Sequence, residues 1–499
     1  MKIPASISIL LALLALVVCS VGASTTLQPG QASNTINQYL YSYMPLVIND
    51  LPSYNPFGTE SSINLLPGSL IASRARDLGI SMVRLNERIS WRLLQPNQGD
   101  PINWELLTDF EAELNTLSSA GIKPIVVVDD YPAWATDNTV RWDGLPTACG
   151  PLRDDRLADY ASFVRALVAR YKTNDFNVHD WELGNEPDVD PNLVQPGNSF
   201  GCYGDIDDPF YGGERYGRMV ITVGAAIKAE DPHAMVWLGG LLLANPNPDL
   251  YPPTCGLPDC GHPELFFQGI LQSGAAPYFD IVPYHSYPSY INQRIDHDTG
   301  MTGPWADWGG WYLGKARFLR SFMTQYGVEK PLFINETALT CPNDVPWAPW
   351  CKPPGEDFFQ MQADFLVRAY VRGFSEKISG YLWFALNDTE WRYSSLLDGN
   401  YDPRPAYNAL QQLIIQLQNS TYIGTFTYGT GIEAYAFDNQ AQTIHVIWST
   451  TDVVHIISIP EPEFIAAYTR DGVPIPPIPY DYIYLLSVQF EPIYVILKP

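Results

Sequence analysis

From about residue 40 to about residue 418, short apolar runs rich in β-branched residues alternate with longer stretches of helical period. The clearest runs are Met82–Leu85, Pro124–Val128, Val178–Leu183, Met235–Leu238, Phe279–Pro283, Pro331–Ile334 and Ile378–Phe384, and Leu46–Ile48 is an earlier candidate that brings the number to eight. Pro124-Ile125-Val126-Val127-Val128 has no polar alternation, which predicts a strand covered on both faces, as in a parallel sheet with helices outside. Between the runs, Leu157, Tyr160, Val164, Leu167, Val168 and Tyr171 fall on one helical face. Leu106, Leu107, Phe110, Leu114 and Leu117 do the same, with Gly121 where that helix would stop. Eight βα units in succession predict a (β/α)8 TIM barrel over residues 40–418, with a doubly wound sheet as the runner-up.

After Asn419 the helical period is lost. Thr425–Phe437, Thr443–Ser449, Val453–Ile459, Ile483–Phe490 and Tyr494–Leu497 read as strands separated by turns and by the Pro-rich piece 474–479. Residues 419–499 therefore predict a small C-terminal antiparallel β domain, sandwich-like, packed on the barrel.

The N-terminus reads as a targeting segment. Lys2 gives a positive start, Ile7–Val18 is an apolar-and-small run, and Val21-Gly22-Ala23 is a small-residue exit, so residues 1–23 predict a cleaved secretory signal and a secreted protein. Residues 24–39 would form an N-terminal segment. Lipidation at Cys19 is the lesser alternative, since Val18 is bulky for that processing. Six cysteines remain beyond Cys19, in local pairs Cys149/Cys202, Cys255/Cys260 and Cys341/Cys351, and export favours disulfides between them. The charge balance is 29 basic against 54 acidic residues, a net of −25, which argues against duplex nucleic acid and anionic lipid as partners because gripping phosphates needs a basic face. No later stretch has membrane-spanning length.

In such a barrel the chemistry sits where strands end. Strand four ends in Gly184-Asn185-Glu186-Pro187 and strand seven in Asn335-Glu336-Thr337. Two opposed carboxyl groups are what glycosidic bond cleavage needs: one protonated to assist the leaving oxygen, one ionised to attack or to activate water. Arg84 beside Glu336 would keep that group ionised, leaving Glu186 as the acid.

Trp181-Glu182-Leu183-Gly184-Asn185-Glu186-Pro187, Leu332-Phe333-Ile334-Asn335-Glu336 and Gly380-Tyr381-Leu382-Trp383-Phe384 together resemble the (β/α)8 retaining glycoside hydrolases of clan A, with a trailing β domain similar to that of the β-xylosidase and α-iduronidase family; a cellulase-like family is the other candidate. The resemblance implies Glu186 as acid/base and Glu336 as nucleophile. It also implies Asn185 on the sugar 2-hydroxyl, His285 and Tyr287 lining the nucleophile side, and Trp383 as the floor under the reacting sugar with a non-proline cis peptide after it. The xylosidase-like pattern carries Trp where this chain has Gly184. The substrate expected is a β-linked oligo- or polysaccharide, with no metal or organic cofactor.

Other residues divide between roles. Glu182 shares strand parity with Glu186 and is expected as a buried carboxylate paired with Arg84. Asp129 and Asp130 would touch sugar hydroxyls or cap the next helix. Trp134, Trp142, Trp305, Trp308, Trp311, Trp347, Trp350 and Trp391 follow strands, where flat aromatics stack on sugar rings or merely pack loops. Asp205, Asp207 and Asp208 resemble a calcium loop only loosely, and an acidic turn is the better reading. The rivals to a hydrolase are a carbohydrate-binding protein on an inactive barrel and a transglycosylase.

Overall fold

The structure is a computed structural model; it describes residues 55–61, 65–137, 151–190, 201, 203–205, 207–244, 263–300, 303–387 and 391–499. The predicted signal, the Leu46–Ile48 run, Cys149, Cys202, Cys255, Cys260 and Trp142 lie outside them.

Eight parallel strands form the central sheet: β1 (Phe57–Glu60), β2 (Met82–Ser90), β3 (Lys123–Asp129), β4 (Asp180–Asn185), β5 (Met235–Gly240), β6 (Val282–Ser286), β7 (Leu332–Thr337) and β8 (Ile378–Trp383). They are hydrogen-bonded in the order β5-β4-β3-β2-β1-β8-β7-β6, and bridges Trp237↔Ile281 and Leu241↔Tyr284 join β5 to β6 and close the barrel. β3 is buried at every position after Lys123, as its unbroken apolar run requires. The helix Leu157–Tyr171 buries the whole face read from its period. In the helix Thr108–Ser119 the period holds from Phe110 onward, but Leu106 lies in the preceding 3-10 turn and is exposed.

The first barrel strand is Phe57–Glu60, not a stretch of aliphatic residues. Its sequence, Phe-Gly-Thr-Glu, has no apolar run to betray it. Gly58 is required because a Cβ there would meet Met82 and Leu382 at 2.4–2.5 Å. The register pairs Glu60 with Arg84 across β1 and β2. Inside the barrel, Met82, Ile125, Trp237, Ile281, Phe333 and Leu382 form an apolar plug, so polar side chains on the strand ends beyond it have a closed floor.

C-terminal to the barrel, β9 (Thr421–Thr425), β10 (Ile432–Asp438), β11 (Thr443–Ser449), β13 (Phe464–Thr469) and β16 (Ile493–Leu497) form a five-stranded antiparallel sheet, ordered β13-β16-β11-β10-β9. β12 (His455–Pro460), β14 (Ile478–Tyr480) and β15 (Ile483–Val488) form a second, three-stranded sheet. The long strand expected from Thr425 to Phe437 is broken by Gly429 and Gly431, both at positive φ. The helix Glu356–Ser375 lies between this region and β8: Arg372 binds Glu433 (2.7 and 2.9 Å), Arg368 donates to the carbonyls of Ser449 and Phe490, and Tyr370 stacks on Tyr381.

Candidate active site

The strand ends gather three glutamates around one guanidinium. Arg84, on β2, is fully buried. Its Nε and Nη2 each donate to Glu182 at 2.8 Å, Nη2 also donates to Asn185 Oδ1 at 2.8 Å, and Nη1 is shared by Glu60 and Glu336. Glu182 points into the barrel as its parity predicts, and also accepts from the Gly240 backbone N–H and from Asn335 Nδ2, each at 2.9 Å. It serves to hold Arg84.

Glu336 owes its aim to a β-bulge. The β6–β7 pairing runs Tyr284↔Ile334 and then His285↔Glu336, leaving Asn335 as an extra residue. Asn335 thereby reaches Glu182 while the next residue, Glu336, reaches Arg84 and Tyr287. Tyr287 Oη donates to Glu336 Oε2, and burial pushes the phenol well above its ordinary range, so it stays a donor.

Glu186 follows β4 with a left-handed backbone, φ 46°, two residues after Gly184 at φ 88°. A non-glycine residue in this region is strained, and such strain is concentrated at functional sites. Only the Tyr131 hydroxyl would come within 4 Å of a Cβ at Gly184, so backbone conformation rather than space is what favours glycine there. The Glu186 carboxyl contacts His285 Nδ1 at 2.8 Å. Burial raises its pKa to about 7 against the opposing fields of Lys315 and Arg84. His285 is fully buried, and desolvation lowers its pKa to about 3, so the ring is neutral. Its Nδ1 is also 3.2 Å from Glu336 Oε2, bridging the two carboxyl groups. One oxygen of each glutamate and one His285 nitrogen lie within 4.8 Å of one another.

Those three side chains are the group most able to hold a metal ion among the described residues. Arg84 Nη1 already occupies Glu336, so a dication there would face a guanidinium and compete for the same oxygen.

Three supporting residues carried no obvious sequence signal. Gly240 ends β5, and a Cβ there would stand 2.0 Å from His285 Nε2; only glycine leaves room for that ring. Lys315, buried on the helix Trp311–Gln325, donates to the carbonyls of Leu242 (2.6 Å) and His285 (2.8 Å), and desolvation lowers its pKa to about 7. Glu60 adds a third carboxyl to Arg84.

Other expected residues lie elsewhere in the network. Asp130 is spent on Arg92 (2.9 and 3.0 Å) and Ser90, and none of these bonds reaches Glu186 or Glu336. Trp134, half-buried, packs edge-on against Trp91 at 5.0 Å. Trp383 does not floor the site. Its indole is fully buried, donates to the Ser394 carbonyl at 2.7 Å, and faces Phe365 and Tyr370 of the outer helix. Alternation along β8 puts Leu382 inside and Trp383 outside. The non-proline cis peptide falls one residue later, at Phe384–Ala385, and it is Phe384 that meets Tyr287 (5.8 Å) and the exposed Trp391 (5.4 Å) edge-on. Trp305 and Trp308 pack on Phe318 and serve loop packing. Asp205 and Asp208 accept from backbone N–H groups of their own turn, as an acidic turn does. Cys341 and Cys351 are disulfide-bonded.

No protein-family model matches the sequence, and no curated protein matches it. Solved structures share the fold. A family 39 glycoside hydrolase from Bacteroides cellulosilyticus WH2 matches with a TM-score of 0.62 at 18% identity, over 89% of this chain and 81% of that one. A GH30 endoxylanase from Clostridium papyrosolvens C71 gives 0.58 at 13%, over 90% and 97%. A monomeric β-xylosidase from Caulobacter crescentus CB15 gives 0.56 at 15%, over 89% and 96%. At these identities the likeness establishes the architecture: a TIM barrel with a C-terminal β domain.

Proposed function

We propose that the protein is a secreted retaining glycosidase that cleaves β-linked oligo- or polysaccharides through a covalent glycosyl-enzyme. The observation that carries this reading is the pair Glu186 and Glu336, with oxygens less than 4.8 Å apart and opposite surroundings. Retaining enzymes place their carboxyls about 5–5.5 Å apart, whereas inverting ones leave about 6.5–9.5 Å for a water. The xylanase and xylosidase among the fold neighbours support a neutral β-glycoside as substrate.

Glu336 attacks the anomeric carbon while Arg84 and Tyr287 hold its oxygens. Glu186, neutral below about pH 7, gives its proton to the leaving oxygen. It then takes a proton from the water that hydrolyses the ester, and the anomeric configuration is retained. Asn185, its Oδ1 fixed by Arg84, stands beside the acid to meet a sugar hydroxyl. Phe384, Tyr287 and Trp391 offer apolar surface for the ring.

The test is a panel of dinitrophenyl β-glycosides and oligosaccharides, with product stereochemistry read by NMR. The expected result is a first-formed β-anomer. With added azide, Glu336→Ala yields a glycosyl azide of inverted configuration and Glu186→Ala one of retained configuration. Opposite stereochemistry reverses the roles, and binding without cleavage across the panel makes the protein a lectin-like barrel.

A further inference from the structure

The mechanism above uses Glu186 and Glu336 and accounts for Glu182 as the anchor of Arg84. It leaves Glu60 without a task. This residue ends β1, is 3% exposed, and pairs in register with Arg84. Its Oε2 and Oε1 of Glu336 both bind the one nitrogen Nη1 of Arg84, which sets the two buried carboxyl groups side by side. Two like charges that close in a buried site oppose each other, which favours a proton on one of them.

We infer that Glu60 is a positioning residue for the nucleophile: a carboxylic acid that donates its proton to Glu336, holding it ionised and aimed while Arg84 grips both. This rests on Glu336 being the nucleophile. Burial and the neighbouring Glu336 charge both raise the Glu60 pKa well above the carboxylate range, against the pull of Arg84. The charged and titratable groups facing the pair are Arg84 on β2, Glu182 and Glu186 at β4, and His285 and Tyr287 at β6. Glu182 is bound to Arg84, His285 is neutral and Tyr287 is a donor, so none supplies a second cation. With Glu60 neutral, the cluster of Glu60, Glu182, Glu336 and Arg84 carries one net negative charge, located where attack requires it. Once Glu336 is esterified, the charge that favours the proton on Glu60 is gone, and Glu60 meets a neutral ester.

The experiment compares Glu60→Gln, a neutral isostere whose amide can still donate, with Glu60→Leu, which cannot. Glu60→Gln is expected to keep kcat/KM on the dinitrophenyl glycoside within about threefold and to leave its acidic limb in place. Glu60→Leu is expected to lose about tenfold or more and to move that limb upward by about one pH unit, because losing a donor disfavours the ionised nucleophile. A merely structural role would lower the profile without moving it. Independently of turnover, the infrared difference between wild type and Glu60→Gln at pH 7 is expected to show the C=O stretch of a protonated carboxyl in the wild type. A loss above tenfold in Glu60→Gln, an unmoved limb in a folded Glu60→Leu, or no such band overturns the inference. Should the wild type cleave nothing, the proposed activity fails and the infrared arm still decides the state of Glu60.

Discussion

On the β7 wall of the mouth, Glu336 is held by Arg84, Tyr287 and the His285 ring, with the Glu60 carboxyl on the same guanidinium nitrogen. On the β4 wall, Glu186 has His285 as its hydrogen-bond partner, a strained backbone and the greater exposure, 14% against 6% for the side chain. The same residue type is thus prepared for two tasks by how many donors surround it. Donors favour the charged form, and burial without them favours the neutral one. A nucleophile needs fixed position and charge; an acid needs a proton and freedom to exchange it.

The sharpest break of this contrast comes from truncating each wall. Glu336→Ala is expected to lose at least about 10⁴-fold in turnover on every substrate, because nothing else can form the ester. Glu186→Ala is expected to lose about 10²–10⁴-fold on glycosides with poor leaving groups, yet to keep its first step on a dinitrophenyl glycoside. Pre-steady-state kinetics on both substrates checks the asymmetry. Equal losses on both would show that the walls are not specialised.

Gly240→Ala attacks the group common to the two walls. The added methyl takes the place of His285 Nε2, so the ring must leave both glutamates. The expected cost is about 10²-fold in kcat/KM, the scale of an ångström-sized misplacement, with the melting temperature moved far less. Retained activity would make the His285 bridge dispensable.

The smallest effect is the pH profile. Glu186 has its pKa raised to about 7, and the acid must be protonated, so kcat/KM on a poor leaving group is expected to fall as pH rises through about 7. In Glu186→Gln that limb should vanish from the residual activity on the same substrate. A limb that persists there belongs to another group; Lys315, which burial lowers to about 7, would be the first suspect.

Legibility from the sequence followed physical cause. Strand β3 is readable because it is covered on both faces and hence continuously apolar, and Glu186 and Glu336 are readable because each closes a strand of the repeating pattern. The Arg84–Glu182 pair followed from the two-residue period of β4. β1 is hidden because Gly58 must lack a side chain to pass Met82 and Leu382, which breaks the apolar run, and Glu60 is hidden with it. Gly240 is a requirement for empty space, which no residue pattern announces. The resemblance implies Trp383 as the sugar floor, whereas strand alternation gives the inward place to Leu382 and the mouth to Phe384. The tertiary crossing that brings Lys315 under His285 has no local trace at all.

The helix Glu356–Ser375 bears on how this architecture can be recombined. Fourteen of its residues are buried, from Phe358 to Gly373, since it faces β8 on one side and the trailing sheets on the other. Its arginines reach into those sheets, and Arg470 of β13's end returns to Asp364 at 2.7 Å. A module that can be shuffled between genes needs a seam with few crossings. Here the seam runs through the middle of a shared helix whose buried guanidiniums would be stranded without their partners. The trailing sheets are therefore not a transferable cassette: grafting them onto another barrel, or deleting them to make a minimal enzyme, would have to carry this helix, and with it the packing behind Trp383, along as well.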